Sequence, residues 1–203
     1  LVLPGDQEKY PNIDTAKYND VNLAALTLGG MTRGISPLEM AGAFSTFPNQ
    51  GKFIEPTFID KITDKSGKVI YENPKEEVEI TSPQNAYIMT SMLETVVKSG
   101  TGTYANFSGM HIAGKTGTTN RKRDSWFVGF TPYYTGAVWI GNDDNTPLWD
   151  YSRMAANLWR SIMRDVHKDL DNKDFEEPED GLYKKYIPVS GYSEIFAEGT
   201  SPK

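Results

Sequence analysis

Cysteine is missing altogether from this 203-residue chain, which excludes disulfide staples and every form of thiolate chemistry. Histidine is nearly missing. His111 and His167 stand far apart and outside any metal-ligand spacing, so a zinc site is not expected and no metal or cofactor is assigned. Positive charge is in deficit, with a formal net charge of -6. Phosphate binding needs a basic face, so nucleic acid is excluded as a partner. The single basic run, Arg121-Lys122-Arg123, reads as a solvated loop. Long apolar runs are lacking too: nothing approaches the roughly 18 residues that a membrane-spanning helix needs. The first residues, Leu1-Val2-Leu3-Pro4-Gly5-Asp6, carry neither the basic nor the apolar region of a signal peptide. They also lack a Met, which suggests a piece of a longer or processed protein.

What remains is globular in composition: 38% hydrophobic, 12% aromatic and 24% charged, sufficient for one domain with a real core. Apolar residues run from Val21 to Leu28 and stop at Gly29-Gly30. Ser36-Pro37 opens a helix whose Leu38, Ala41, Phe44 and Phe47 share a face, and Asn49-Gln50-Gly51 closes it. A hairpin is predicted over 57–71, with Phe58-Ile59 and Val69-Ile70-Tyr71 flanking the turn Asp64–Lys68. A Glu- and Pro-rich loop follows. Ser82-Pro83 then starts a helix with Tyr87, Ile88, Met92, Leu93, Val96 and Val97 at three- and four-residue spacing, and Gly100 stops it. From His111 the period becomes strand-like, over 111–118, 125–130 and 134–140, with short turns that favour antiparallel neighbours. Ser152 is expected to cap a last helix bearing Met154, Ala155, Leu158, Trp159, Ile162, Met163 and Val166. The tail from Asp171 is acidic and turn-rich, with a short hairpin about Ser190-Gly191. These elements predict an α+β fold (α/β in some schemes), an antiparallel sheet flanked by helices. The expected organisation is a main body over 1–170 and a tail over 171–203.

The chemistry concentrates in Ala113-Gly114-Lys115-Thr116-Gly117-Thr118-Thr119-Asn120. Glycine weakens a strand, so glycines on both sides of a strand lysine suggest close approach of another backbone or a ligand. Lys115 supplies a cation and Thr116, Thr118 and Thr119 supply hydroxyls; together they suit a carboxylate. An extended peptide could also pair with the strand edge. Two other readings of the tripeptide stand beside this one. One is a surface strand ending in a Gly-Thr turn. The other is a phosphate loop, whose glycine spacing ahead of Gly114-Lys115-Thr116 is absent.

With its flanks, Asp124-Ser125-Trp126-Phe127-Val128-Gly129-Phe130-Thr131-Pro132 and Ala137-Val138-Trp139-Ile140-Gly141-Asn142-Asp143, the segment resembles the transpeptidase domain of penicillin-binding proteins. The resemblance is nearest to the bifunctional class A type, which adds a glycosyltransferase domain. It extends to Gly34-Ile35-Ser36-Pro37-Leu38-Glu39-Met40-Ala41, to Asn49-Gln50-Gly51 and to Met92–Val97 with Gly100-Thr101-Gly102. It continues to Phe196-Ala197-Glu198-Gly199-Thr200-Ser201-Pro202.

The resemblance implies a β-lactamase/transpeptidase-like fold and a D,D-transpeptidase that cross-links peptidoglycan. In such enzymes the serine of a Ser-x-x-Lys motif attacks the penultimate D-Ala carbonyl. The terminal D-Ala leaves, and an amine from a neighbouring stem peptide resolves the acyl-enzyme. β-Lactams are trapped by the same serine. Carried onto this chain, Lys115 and Thr118 would be catalytic. Lys115 would set the potential, and the Thr118 N–H would donate one of the two oxyanion hydrogen bonds. Thr116 and Thr118 would bind the substrate carboxylate, and Gly117 would leave room for it. The implied partners are the stem peptide ending in D-Ala-D-Ala, β-lactam antibiotics and the amino-terminal part of the same domain. The implied location is the extracytoplasmic face of the bacterial membrane, with the anchor outside this chain.

Against that pattern, no Ser-x-x-Lys and no Ser-x-Asn occurs in the sequence. Thr95-Val96-Val97-Lys98 has the spacing but lies within an amphipathic helix, and Ser82-Pro83-Gln84-Asn85 reads as a helix cap. The family's two motifs lie too far upstream to fit in the 114 residues before Lys115. The nucleophile is therefore expected outside this chain, which alone would be inactive, with an incomplete sheet and an exposed edge. A serine β-lactamase-like hydrolase and a non-catalytic peptide-binding module are the alternatives. Asp143-Asp144-Asn145 reads as a turn, not a calcium loop. Trp126, Trp139, Trp149 and Trp159 read as packing, and Glu176, Glu177, Glu179 and Asp180 as a solvated linker.

Overall fold

The computed structural model describes residues 1–119, 121–149 and 153–200. The chain divides into two compact units, Leu1–Ser36 and Pro37–Lys203. The first holds one short helix, α1 (Leu23–Thr27), capped by the Asn22 side chain, which accepts from the Ala24 and Ala25 N–H groups. This unit is organised around a carboxylate. Asp20 accepts from the N–H of Val2 at 2.6 Å and of Thr32 at 2.7 Å. Val2 and Thr15 are buried, whereas two of the three leucines of the apolar stretch, Leu23 and Leu28, are exposed and Leu26 is half-buried.

The second unit runs α2 (Pro37–Ser45), β1 (Lys52–Ile54), β2 (Lys61–Thr63), β3 (Val69–Glu72), β4 (Glu77–Glu79), α3 (Pro83–Ser99), β5 (Ala113–Thr118), β6 (Asp124–Phe130), β7 (Thr135–Gly141), α4 (Met154–Val166), β8 (Leu182–Ile187) and β9 (Tyr192–Ala197). The central sheet has the order β5-β6-β7, antiparallel throughout. Side chains alternate across a strand, so Phe127 and Phe130, three apart, face opposite sides. Phe127 meets Trp159 of α4 edge-on at 5.1 Å, and Phe130 meets Phe47 at 6.3 Å. Two cores result. One gathers Val97, Ile112, Phe127, Ala155, Trp159 and Met163; the other joins Leu93, Ala113 and Phe130 to Phe44, Phe47 and Phe175. Helix α3 supplies a residue to each, which fixes it beside β5. Its ends follow local chemistry: the Ser82 hydroxyl accepts from the Asn85 N–H, Pro83 fills the first turn and Gly100 ends the helix.

The expected α+β sheet with flanking helices is thus present, and several details differ. The first strand of the predicted hairpin is Lys61–Thr63, not Phe58-Ile59. Asp64 is the reason. Its carboxylate accepts from the N–H of Ser66 and of Lys68 at 2.8 and 3.0 Å, and so sets the register around the turn. The Glu-rich loop contains β4, paired with β1 through Lys52↔Glu79 and tied by a Lys52–Glu77 ion pair of 2.9 Å. Phe47 packs from beyond the end of α2. Of the four tryptophans, only Trp159 is fully enclosed; Trp139 is 42% and Trp149 92% exposed. Asp144 makes a turn, its carboxylate accepting from the Thr146 N–H and hydroxyl. Those bonds, the hydroxyl first, hold its pKa below the usual carboxylate value. The expected cap at Ser152 lies outside the described residues.

Glu176, Glu177, Glu179 and Asp180 are exposed, as expected, but the segment that carries them is docked as a strap. Phe175 packs edge-on against Phe130 at 5.5 Å. Tyr87 of α3 donates to Glu177 at 3.2 Å, and Gln84 donates to the Asp180 carbonyl at 3.1 Å. His111 stands between Glu94 of α3, 3.1 Å from its Nδ1, and Asp174 of the strap, 2.9 Å from its Nε2. Burial and the nearby Glu177 carboxylate raise the pKa of the Tyr87 phenol. The strap leads into the β8–β9 hairpin, whose turn includes Ser190-Gly191 as expected.

Candidate functional site: the exposed wall of strand β5

Strand β5 is an end strand of its sheet, and among the described residues no strand pairs with its outer side. It begins buried, at Ala113 and Gly114, and emerges at Lys115. The register sets Lys115 opposite Val128, Thr116 opposite Phe127, Gly117 opposite Trp126 and Thr118 opposite Ser125. The lysine is therefore carried by a strand whose root is locked in both cores while its own side chain is exposed.

The glycines have identifiable packing causes. A Cβ on Gly114 would stand 2.6 Å from the Phe127 ring and 2.8 Å from the Val128 carbonyl, so no larger residue fits. On Gly117 it would lie 3.1 Å from the Trp126 Cβ, so this glycine admits the tryptophan of the neighbouring strand. Beyond it, Trp139 donates to Asp124 at 2.9 Å and its ring lies 6.5 Å from that of Trp126.

The four polar side chains of the segment have separate duties. The Lys115 ammonium donates to the Thr116 carbonyl at 3.0 Å. The Thr116 hydroxyl is paired with that of Thr101 at 2.7 Å, a partner that strand periodicity did not single out. Thr118 is exposed. Thr119 departs from the expected donor group: its oxygen accepts from the N–H of Arg123 and Asp124 at 3.2 and 3.1 Å, closing the β5–β6 turn. In that turn Arg123 is partly buried, with an Nε that has no partner, so the basic run is not wholly solvated. Thr95 and Ser82 serve α3 as expected: the Thr95 hydroxyl donates to the Ser91 carbonyl, and Ser82 caps the helix.

The arrangement offers a cation and two threonines along one exposed edge, which suits an anionic, extended ligand. Among the described residues it offers no nucleophile activated by a base. An apolar cavity of about 500 Å³ between α2 and α3, lined by Ala43, Phe47, Phe53, Ile80 and Met89 among others, contains no ionisable group and so provides packing without chemistry. Among the described residues no cluster of acidic, histidine or cysteine side chains could hold a metal.

The chain is similar to known proteins in both sequence and structure. The family model described as the penicillin binding protein transpeptidase domain matches residues 3–164. Penicillin-binding protein 1A of Clostridium botulinum is 36% identical over 213 residues, spanning 96% of this chain and 26% of that protein. Penicillin-binding protein 1A of Clostridium acetobutylicum is 44% identical over 182 residues, 89% of this chain and 22% of that protein. The crystal structure of penicillin-binding protein 1A from Haemophilus influenzae superposes with a TM-score of 0.76 at 25% identity, covering 93% of this chain and 35% of that one. The chain thus spans about a quarter of the length of the curated relatives it matches. An edge strand bearing Lys-Thr-Gly, enclosed by these helices and matched over most of its length, identifies the chain as a member of the penicillin-binding protein transpeptidase domain family.

Proposed function

We propose that this chain supplies one wall of the active cleft of a serine D,D-transpeptidase that cross-links peptidoglycan stem peptides and binds β-lactams. Residues 1–170 form the carboxy-terminal part of that domain and 171–203 its tail. The nucleophilic serine and its lysine come from polypeptide outside this chain. The observation that carries the reading is the exposed Lys115 and Thr118 on an edge strand whose root is rigidly packed.

In the proposed reaction the serine oxygen adds to the penultimate D-Ala carbonyl carbon, and the C–N bond to the terminal D-Ala breaks as that amine takes a proton. A second amine then displaces the serine and leaves the new amide. Lys115 attracts the substrate carboxylate and Thr116 and Thr118 donate to it, while Gly117 makes room for Trp126 of the neighbouring strand rather than for the ligand. The Thr118 N–H stabilises the negative charge on the attacked oxygen, a contribution that preorganised donors make most effectively. The ligands are a stem peptide ending in D-Ala-D-Ala and, in its place, a β-lactam. The enzyme acts on the extracytoplasmic face of the membrane. No described helix is long and apolar enough to cross a bilayer.

The test is Lys115→Ala in the full-length protein, with covalent labelling by a fluorescent penicillin. The labelling rate is expected to fall about 100-fold. The melting midpoint should barely move, because an exposed side chain contributes within about 0.5 kcal/mol. Undiminished labelling, or a large loss of stability, would overturn the assignment.

A further inference from the structure

Between α3 and β5 the chain passes through Gly100-Thr101-Gly102. The N–H groups of Gly100 and Gly102 both donate to the Val96 carbonyl at 3.0 Å. A Cβ on Gly100 would stand 2.9 Å from the Val96 Cα and carbonyl oxygen, and one on Gly102 3.2 Å from that oxygen. The loop is folded flat on the last turn of α3, a fit that a side chain at Gly100 would break and one at Gly102 would crowd. Just beyond it, a 3₁₀ turn at Thr103–Ala105 ends on a fully buried Ala105. Thr101 is thus held from both sides, with its hydroxyl 2.7 Å from that of Thr116.

Each hydroxyl has one proton to donate and two lone pairs with which to accept. If Thr116 donates to Thr101, it has no proton left for an incoming carboxylate. If Thr101 donates to Thr116, the Thr116 proton stays free, and the bond already accepted polarises it toward donation. An anionic ligand beside Lys115 selects the second arrangement. We propose that Thr101 is a positioning residue, which orients the Thr116 hydroxyl so that it donates to the ligand carboxylate. Thr101 itself does not touch the ligand. The inference rests on the function proposed for this wall.

The experiment measures acylation of the full-length protein by a fluorescent penicillin and by the same compound with its carboxylate methylated. Thr101→Val removes the hydroxyl at nearly constant shape. It should slow the free acid about five-fold, the effect of one neutral hydrogen bond, and leave the ester unchanged. Thr101→Ser should restore the acid-to-ester ratio. Equal slowing of both compounds would mean a distorted loop, and no change in the ratio would mean no orienting role; either overturns the proposal. Lys115→Ala separates the two levels of inference. If it collapses the ratio while Thr101→Val does not, only the role of Thr101 is lost. If Lys115→Ala also leaves the ratio intact, β5 is not the carboxylate wall and the proposed function fails.

Discussion

The β6–β7 and β2–β3 hairpins are both antiparallel and both rich in aromatic and β-branched residues, yet their surroundings are opposite. In the first, Phe127 and Phe130 are completely buried because helices and the strap cover both faces. In the second, Ile62, Val69 and Tyr71 are exposed and Ile70 is 67% exposed, with no helix over either face among the described residues. Strand residues stabilise a fold through what covers them, not through their own propensity. The amino-terminal unit shows a third solution, in which a carboxylate binds two backbone N–H groups and most of the leucines stay outside.

Three substitutions would break or sharpen this contrast. Trp159→Ala should have the largest effect, a loss of about 3–5 kcal/mol. It empties the space beside Phe127 and leaves the Gly136 carbonyl, 3.0 Å from the indole nitrogen, without its donor. Chemical denaturation would measure it; a loss below that of an exposed site would show that the covered sheet does not hold the fold.

An intermediate effect is expected for Asp20→Asn. The N–H of Val2 first, and that of Thr32 next, hold the Asp20 pKa below the usual carboxylate value. A depressed carboxylate contributes stability above its unfolded pKa and loses it as pH falls through the folded one. The gap in melting temperature between wild type and Asp20→Asn should therefore be full at neutral pH and close in acid, below the usual carboxylate range. A gap that widens in acid would refute the role. The smallest effect belongs to Ile70→Ser, expected within about 0.5 kcal/mol. A loss as large as that of Trp159→Ala would reveal a cover on this hairpin that the chain itself does not provide.

The same contrast explains what could be read in the sequence. Helix α3 was legible because its limits are local, a serine-proline start and a glycine stop. Strands β5 to β7 were legible by period and by short turns. The start of β2 was not, because Asp64 sets the register through hydrogen bonds and overrides the apolar Phe58-Ile59. Strand β4 was missed because Glu77-Val78-Glu79 pairs by backbone and charge without burying a side chain. At the candidate site, Lys115, Thr116, Gly117 and Thr118 stand in a recognisable motif. The Thr101–Thr116 hydroxyl pair joins residues that periodicity never relates. The exposure of the strap's charges was legible, but its docking was not, because Phe175 and its receptors on α3 and β6 become neighbours only in the folded chain.

The strap also bears on the order of folding. Its bonds from Gln84 to Asp180 and from Tyr87 to Glu177 join residues 96 and 90 positions apart. Such contacts carry a loop-closure cost that local ones do not, and they slow folding accordingly. A chain emerging from its amino terminus can complete α3 and the β5–β7 meander well before Asp174 and Phe175 exist to dock on them. Until then His111 has only the Glu94 carboxylate and Phe130 lacks one of its aromatic neighbours. A segment made later is therefore the fastener for the helix and sheet made before it.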